Sequence, residues 1–178
     1  MIDPTLGSGD RSPGAGQLIG RLQGAGLSLA VAESLTGGLL MAEFVAVPGA
    51  SAVLSGGVVA YRTELKSSLL AVEAELLART GAVHPLVARQ MAAGVRRLCS
   101  VQGTAAAIGL ATTGVAGPEP SEDKPVGTVC VGISSFRGER AEEHLLGGSR
   151  AQIRAGSVAV ALAMLSDELT ALARLAGE

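Results

Sequence analysis

The sequence predicts an α/β fold with three layers, in which helices cover both faces of a mostly parallel, mixed β-sheet. The first observation is that short apolar segments alternate along the chain with longer segments whose apolar residues have helical spacing. The second is that the predicted strands are almost wholly apolar, which is typical of a sheet buried on both faces. The third is that the last two predicted strands follow each other without a helix between them. Such a step indicates an antiparallel hairpin at one end of the sheet.

The elements follow in order from the apolar pattern and from its stop signals, chiefly glycine and proline. Thr63 is the predicted N-cap of its helix, Pro85 opens another helix, and the charged strand 139–147 is a predicted edge strand. Residues 1–14 are rich in Gly, Pro and Ser and are predicted to form a flexible leader before a single domain, residues 15–178. The predicted elements are helix 17–26, strand 27–34, helix 37–47, strand 56–62, helices 63–72, 73–80 and 85–98, strands 104–114, 126–135 and 139–147, and helix 150–175.

Composition excludes several classes of function. The formal net charge is −2 and no basic block is present, which argues against binding to nucleic-acid phosphates. Aromatic residues make up 2% of the chain, too few for a platform that stacks bases. No apolar run has the length of a membrane span. Cys99 and Cys130 match no metal-binding spacing and are predicted to be reduced thiols of a cytoplasmic protein.

Polar residues gather where three predicted strands end. Because ligands of open α/β sheets bind at the carboxyl ends of the strands, these groups are predicted to form one site. Helices begin directly after the first two groups, so we expect their N-terminal amides to face an anion. The groups are Glu33, Ser34 and Thr36; Tyr61 to Lys66; and Thr112, Thr113 and Gly114.

A serine activated by a lysine is the chemistry that this residue set favours. The common phosphate-loop, dinucleotide and nucleophile-elbow motifs are absent, and two histidines offer little material for a triad. Lysine is rare here, and Lys66 lies among leucines, where desolvation favours the neutral amine that a base must be. Ser34, Ser51 and Ser55 are the candidate nucleophiles, and spacing does not choose between Ser34 and Ser51. The alternative is structural: Ser34 and Thr36 cap a turn, and Ser51 is a turn serine.

Five stretches taken together carry a family resemblance: AESLTGG, PGAS, GGVVAYRTELKSSLLAV, TGAVHPLVARQMAAGVRR and TTGVAGPEPSEDKPVGTV. In this order and at these separations they resemble the C-terminal domain of the competence-damage-inducible protein CinA, over residues 17–175. The resemblance implies an amidase that hydrolyses the carboxamide of nicotinamide mononucleotide to nicotinate mononucleotide and ammonia, without cofactor or metal. It places the reaction in pyridine-nucleotide salvage. The larger N-terminal domain of many members, linked to nucleotide pyrophosphatase activity, is not in this sequence, so we expect that activity to be absent.

The motif match also implies roles for individual residues. By this match Ser51 is the nucleophile, Lys66 its base, and Tyr61 a neighbour of both. The segment PEPSED departs from the glycine-rich stretch that the family pattern leads us to expect, which puts substrate affinity in question. The residues that the match assigns to substrate binding are Ser34, Thr36, Gly37, Thr113, Gly114 and Arg150.

Other functions remain open from the sequence. One is a non-catalytic module that binds a nucleotide or phosphate, and another is a partner-binding protein of a competence or DNA-damage response. The spacing of leucines between Leu162 and Leu172 fits either the core face of a helix or a dimer seam. We predict a homo-oligomer of two or more copies that binds a small nucleotide substrate and neither nucleic acid nor membrane.

Overall fold

The computed structural model describes residues 14–121 and 123–177. Its centre is a five-stranded sheet in the order β2–β1–β3–β4–β5. Strands β2, β1 and β3 are parallel, β4 runs antiparallel to β3, and β5 returns antiparallel to β4, with which it forms a hairpin. The predicted fold class, a mixed sheet within an α/β/α sandwich, is therefore confirmed. The strands are β1 (Leu29–Glu33), β2 (Leu54–Val59), β3 (Ile108–Gly114), β4 (Thr128–Ser135) and β5 (Gly138–Leu145).

Helices cover both faces of the sheet. Helices α1, α2 and α6 pack on one face, where they form the larger apolar core with β1, β3 and β4. Helices α3, α4 and α5 pack on the other face around a second core. In the described part of the chain the helices are α1 (Ala15–Ala25), α2 (Leu39–Val45), α3 (Thr63–Leu70), α4 (Ala74–Thr80), α5 (Pro85–Leu98) and α6 (Arg150–Ala176), with a short 3-10 helix at Ala50–Ala52.

The two faces of the sheet carry side chains of different size. Leu29 and Val31 of β1 enter the larger core, while the alternating residues Ala30 and Ala32 face α5. The small face lets α5 approach the sheet backbone closely. At Gly109 of β3, for example, an added Cβ would lie 2.0 Å from a backbone oxygen of α5, so this position needs glycine.

Most predicted boundaries agree with the structure within two or three residues. Helix α5 has the predicted bounds, and α6 begins at the predicted Arg150 after a capping box formed by Ser149 and Gln152. The prediction that Thr63 caps α3 is wrong, because Arg62 holds the N-cap position and its side chain makes no capping bond. The predicted edge strand is confirmed as β5. Except for Gly14, the predicted leader lies outside the described residues.

The leucine face of α6 belongs to the core. Leu162, Leu165, Leu169 and Leu172 are at most 7% exposed and pack in the larger core, so the core-face reading of their spacing is confirmed and the dimer seam is not. Within residues 14–121 and 123–177, no helix combines the length and the apolar character needed to cross a bilayer.

Candidate active site

A cavity of about 200 Å³ opens at the edge of the sheet where β1, β2 and β3 end. This is the place that the sequence predicts, because the three parallel strands bring their carboxyl ends to one edge. Six predicted site residues line the cavity: Ser34, Tyr61, Lys66, Thr113, Gly114 and Arg150. Three do not line it: Ser51, Thr36 and Gly37.

Lys66 and Ser34 form the centre of the cavity. The Lys66 Nζ lies 3.0 Å from Ser34 Oγ and 2.9 Å from the carbonyl oxygen of Ala60. Ser34 directly follows β1, whereas Lys66 lies in the first turn of α3, which follows the neighbouring strand β2. Lys66 is 1% exposed and Ser34 is 8% exposed. The Lys66 amine is therefore almost fully shielded from water and lies against two oxygen atoms.

The predicted pairing of Ser51 with Lys66 is corrected by this arrangement. Ser51 lies in the 3-10 helix before β2, whereas Lys66 lies after β2. A strand rises about 3.3 Å per residue, so the six residues of β2 separate these positions by roughly 20 Å. Ser51 lines a different pocket, at the amino ends of the strands, together with Ser28 and Thr104. Within one copy of the chain, Ser34 is therefore the serine that Lys66 contacts.

Glu33 organises the turn that follows β1. It is 1% exposed, and its carboxylate accepts from the backbone amides of Gly38 at 2.9 Å, Leu40 at 3.1 Å and Met41 at 2.9 Å. These amides belong to the first turn of α2, where helical partners are lacking. The expectation that they face a bound anion is therefore wrong, because Glu33 already occupies that position.

Thr36 and Gly37 support the turn from outside the cavity, which corrects their predicted role in substrate binding. Thr36 is completely buried, and its Oγ1 lies 2.7 Å from Oγ1 of Thr112 on β3. Gly37 has a φ of 58°, in the left-handed region that favours glycine. Both residues therefore fix the position of Ser34 without reaching the cavity themselves.

Thr113 and Gly114 form the side of the cavity that β3 supplies. The Thr113 hydroxyl donates to the carbonyl oxygen of Ala82 at 2.9 Å and so ties β3 to the segment between α4 and α5. Successive strand amides point to opposite sides, and Val115 donates to Thr128 of the β4 side. The Gly114 amide therefore points away from β4, toward the end of β1. A Cβ at Gly114 would lie 2.6 Å from a backbone oxygen, so a side chain has no room there.

The mouth of the cavity carries a positive charge. Nη2 of Arg150, in the first turn of α6, donates to the Tyr61 hydroxyl at 3.3 Å, and its Nη1 donates to the Gly117 carbonyl oxygen at 2.6 Å. Tyr61 is 58% exposed. An exposed guanidinium fork of this kind suits a phosphate or carboxylate. Tyr61 thus contacts Arg150 at the mouth of the cavity that Lys66 also lines, whereas Ser51, its other predicted neighbour, lines a different pocket.

Sequence reasoning missed Arg154 of α6. It donates to the carbonyl oxygens of Leu35 at 3.0 Å and Thr36 at 2.7 Å, the two residues after Ser34. One signal was available: Arg154 follows Arg150 by four residues, so both lie on one face of the helix.

Neither metal binding nor histidine chemistry is indicated at this site. In the described ranges, no group of three or more His, Cys, Asp or Glu side chains is arranged to hold a metal ion. His84 is the N-cap of α5, where its Nδ1 accepts from the Leu86 amide at 3.1 Å. This is the capping role that its place before Pro85 favours.

Comparison with known proteins agrees with this fold. A model of the CinA C-terminal domain family matches residues 12–169. A CinA-like protein of Frankia casuarinae is 47% identical over 157 residues, which cover 88% of this chain and 35% of that protein. The chain spans about a third of the length of the curated relatives it matches.

Solved structures give the same result. A CinA superfamily protein from Klebsiella pneumoniae superposes with a TM-score of 0.82 at 32% identity, covering 88% of this chain and 95% of that one. A competence/damage inducible protein from Agrobacterium tumefaciens superposes with a TM-score of 0.81 at 35% identity, covering 93% of this chain and 99% of that one. This chain therefore belongs to the CinA C-terminal domain family.

Proposed function

We propose that the protein is an amidase that hydrolyses the carboxamide of nicotinamide mononucleotide, with Ser34 as nucleophile and Lys66 as base. The observation that carries this proposal is the 3.0 Å contact between Lys66 Nζ and Ser34 Oγ at a cavity with a guanidinium at its mouth. We infer the substrate from the family resemblance and the choice of serine from the contact between Ser34 and Lys66. The reaction belongs to pyridine-nucleotide salvage.

The chemistry begins with the neutral amine of Lys66. It accepts the hydroxyl proton of Ser34 while Ser34 Oγ forms a bond to the carboxamide carbon. The tetrahedral intermediate collapses as Lys66 returns the proton to the leaving nitrogen, and ammonia departs from an acyl-enzyme. A water molecule, deprotonated by Lys66, then attacks the ester carbon. Ser34 leaves, takes back the proton, and nicotinate mononucleotide is released.

The remaining residues provide binding and charge stabilisation. The Gly114 amide, directed away from β4, is our candidate donor to the oxyanion, an interaction typically worth about 3 kcal/mol in acyl transfer. Arg150 offers its fork to the substrate phosphate, and Tyr61 flanks it at the mouth. The Ala60 carbonyl oxygen accepts from Lys66 and so holds the amine beside Ser34.

Ammonia release from nicotinamide mononucleotide tests the proposal, with Ser34→Ala and Ser51→Ala compared side by side. We expect Ser34→Ala to lose at least 10³-fold in kcat, in the range that removal of a nucleophile produces. Ser51→Ala should retain turnover within about threefold, because roughly 20 Å separates it from Lys66. The reverse pattern would show that the serine of the motif match is the nucleophile after all.

The same assay separates the proposal from its rivals. Calorimetric binding of the nucleotide without ammonia release by the wild-type protein would favour a non-catalytic binding module. A protein partner captured equally by the wild-type chain and by Ser34→Ala, again without ammonia release, would favour a partner-binding role.

A further inference from the structure

Arg154 contacts the turn that carries the nucleophile but does not line the cavity. Its Nε and Nη2 donate to the carbonyl oxygens of Leu35 and Thr36, at 3.0 and 2.7 Å. We propose that Arg154 is a positioning residue that holds Ser34 Oγ within reach of Lys66. This inference rests on the proposed function, because it assigns Arg154 a part in the chemistry of Ser34.

The geometry of the guanidinium explains how it acts. Its donors form a rigid planar fork, and here they bind two successive carbonyl oxygens of the backbone. Since each peptide unit is planar, fixing both carbonyls fixes the orientation of the peptide units Leu35–Thr36 and Thr36–Gly37, which begin one residue after Ser34. The direction of Ser34 Oγ depends on this backbone.

The turn needs such support because its own hydrogen bonds are long. Gly37 donates to the Ser34 carbonyl oxygen and Leu39 to that of Thr36, both at 3.2 Å. Glu33 secures the far end of the turn, at the start of α2. Arg154 supports the near end, next to Ser34, with a contact as short as 2.7 Å.

Packing against Gly37 makes the contact specific. A Cβ added there would lie 3.4 Å from Nη2 of Arg154, so the guanidinium lies directly against the turn backbone. Arg150 and Arg154 are neighbours on one face of α6. The helix that offers Arg150 to the substrate therefore also fixes the position of the nucleophile.

The first test compares Arg154→Ala and Arg154→Lys in steady-state ammonia release. A misplaced nucleophile loses roughly 10²-fold in rate, so we expect this fall in kcat for Arg154→Ala with KM changed by less than about threefold. Arg154→Lys should have an intermediate kcat, because an ammonium does not span both carbonyls as the fork does. Added guanidinium should restore part of the kcat of Arg154→Ala.

Arg21→Ala is the matched control. Arg21 of α1 also donates two hydrogen bonds, to the hydroxyls of Ser166 at 2.8 Å and Thr170 at 2.9 Å. Both partners lie on α6, but far along the helix from the cavity. Its loss should leave kcat unchanged. The inference is overturned if Arg21→Ala lowers kcat as much as Arg154→Ala does, because the effect is then a general loosening of α6. It is also overturned if guanidinium does not restore any of the kcat of Arg154→Ala.

A second readout does not need the substrate. Phenylmethanesulfonyl fluoride labels an activated serine: Ser34 Oγ bonds to sulfur, fluoride leaves, and the proton passes to Lys66. The labelling rate of Ser34, followed by mass spectrometry, should fall in Arg154→Ala by about the same factor as kcat and recover with guanidinium. An Arg154→Ala protein labelled at the wild-type rate would overturn the inference, as would circular dichroism showing that both Arg154 variants are unfolded.

This readout also separates the two proposals. If the wild-type protein is labelled at Ser34 but releases no ammonia, the substrate proposal fails, and the labelling ratio between wild type and Arg154→Ala still decides the role of Arg154. If Ser34 of the wild-type protein is not labelled, both proposals fall.

Discussion

Replacing Glu33 by glutamine is expected to destabilise the protein by about 3 kcal/mol at neutral pH. One carboxylate oxygen accepts from Gly38 and Leu40, and the other accepts from Met41. A glutamine keeps a single acceptor. In its better orientation the amide oxygen faces Gly38 and Leu40, and its NH₂ group then faces the Met41 amide, where two donors oppose each other.

The magnitude follows from these three bonds. A hydrogen bond to a charged group contributes about 1.5–3 kcal/mol and a neutral one about 0.5–1.5 kcal/mol. Glu33→Gln loses one charge-assisted bond and weakens two others, and the lower cost of burying a neutral group offsets part of this loss. With a urea m-value of about 2 kcal/mol/M, a loss of about 3 kcal/mol lowers the urea midpoint by roughly 1.5 M.

The assay is equilibrium unfolding in urea, with Glu43→Gln as control. Glu43 lies on the same helix, α2, but its side chain is exposed, so this variant should keep the wild-type midpoint. Since the same turn carries Ser34, ammonia release by Glu33→Gln should fall as well. A midpoint shift below about 0.3 M for Glu33→Gln would refute the reasoning that the carboxylate anchors the turn.

Three further outcomes are expected. Lys66→Met and Lys66→Arg should each lower ammonia release by about 10²–10⁴-fold, since neither side chain accepts a proton at neutral pH; turnover within tenfold of wild type in either would contradict the role of base. Burial, with a nearby carboxylate, raises the pKa of Cys130 from 9.0 to about 12, so at pH 8 iodoacetamide should modify the half-buried Cys99 first and reach Cys130 only on unfolding. Because the thiol ionises at lower pH in the unfolded chain than in the folded one, the free energy of unfolding should also decline as the pH rises above 9. Early alkylation of Cys130 in the native protein would contradict this. Gly94→Ala should lower the urea midpoint strongly, because its Cβ would lie 1.9 Å from a backbone oxygen of α3. Gly20→Ala, in the open part of α1, should instead raise the free energy of unfolding by up to about 1 kcal/mol. Equal midpoints for the two variants would contradict the close packing of α3 and α5.

The fold was largely predictable because its signals are local. Apolar runs, glycines and prolines mark the strands and helices, and these gave the mixed sheet and the bounds of α5 correctly. The N-cap of α3 was assigned one residue late because Thr63 has the right chemistry for a cap, yet the backbone places Arg62 at that position.

The site was predictable in place and only partly in detail. The rule that ligands gather at carboxyl ends of strands put Ser34, Lys66 and Thr113 together, as the structure does. The same rule disfavours Ser51, which precedes β2, but the motif match outweighed it. Thr36 was assigned to substrate binding by the motif match, although its hydroxyl is bonded to that of Thr112.

The sequence by itself determined the order of the elements, the edge of the sheet predicted to carry the site, and the scarcity of lysine that singled out Lys66. Tertiary structure alone decided which serine meets this lysine, because Ser34 and Lys66 are joined only through the pairing of β1 with β2. It also decided the roles of Glu33 and Arg154. Both act through contacts to backbone amides and carbonyls, which every residue carries and which no side-chain pattern in a sequence reveals.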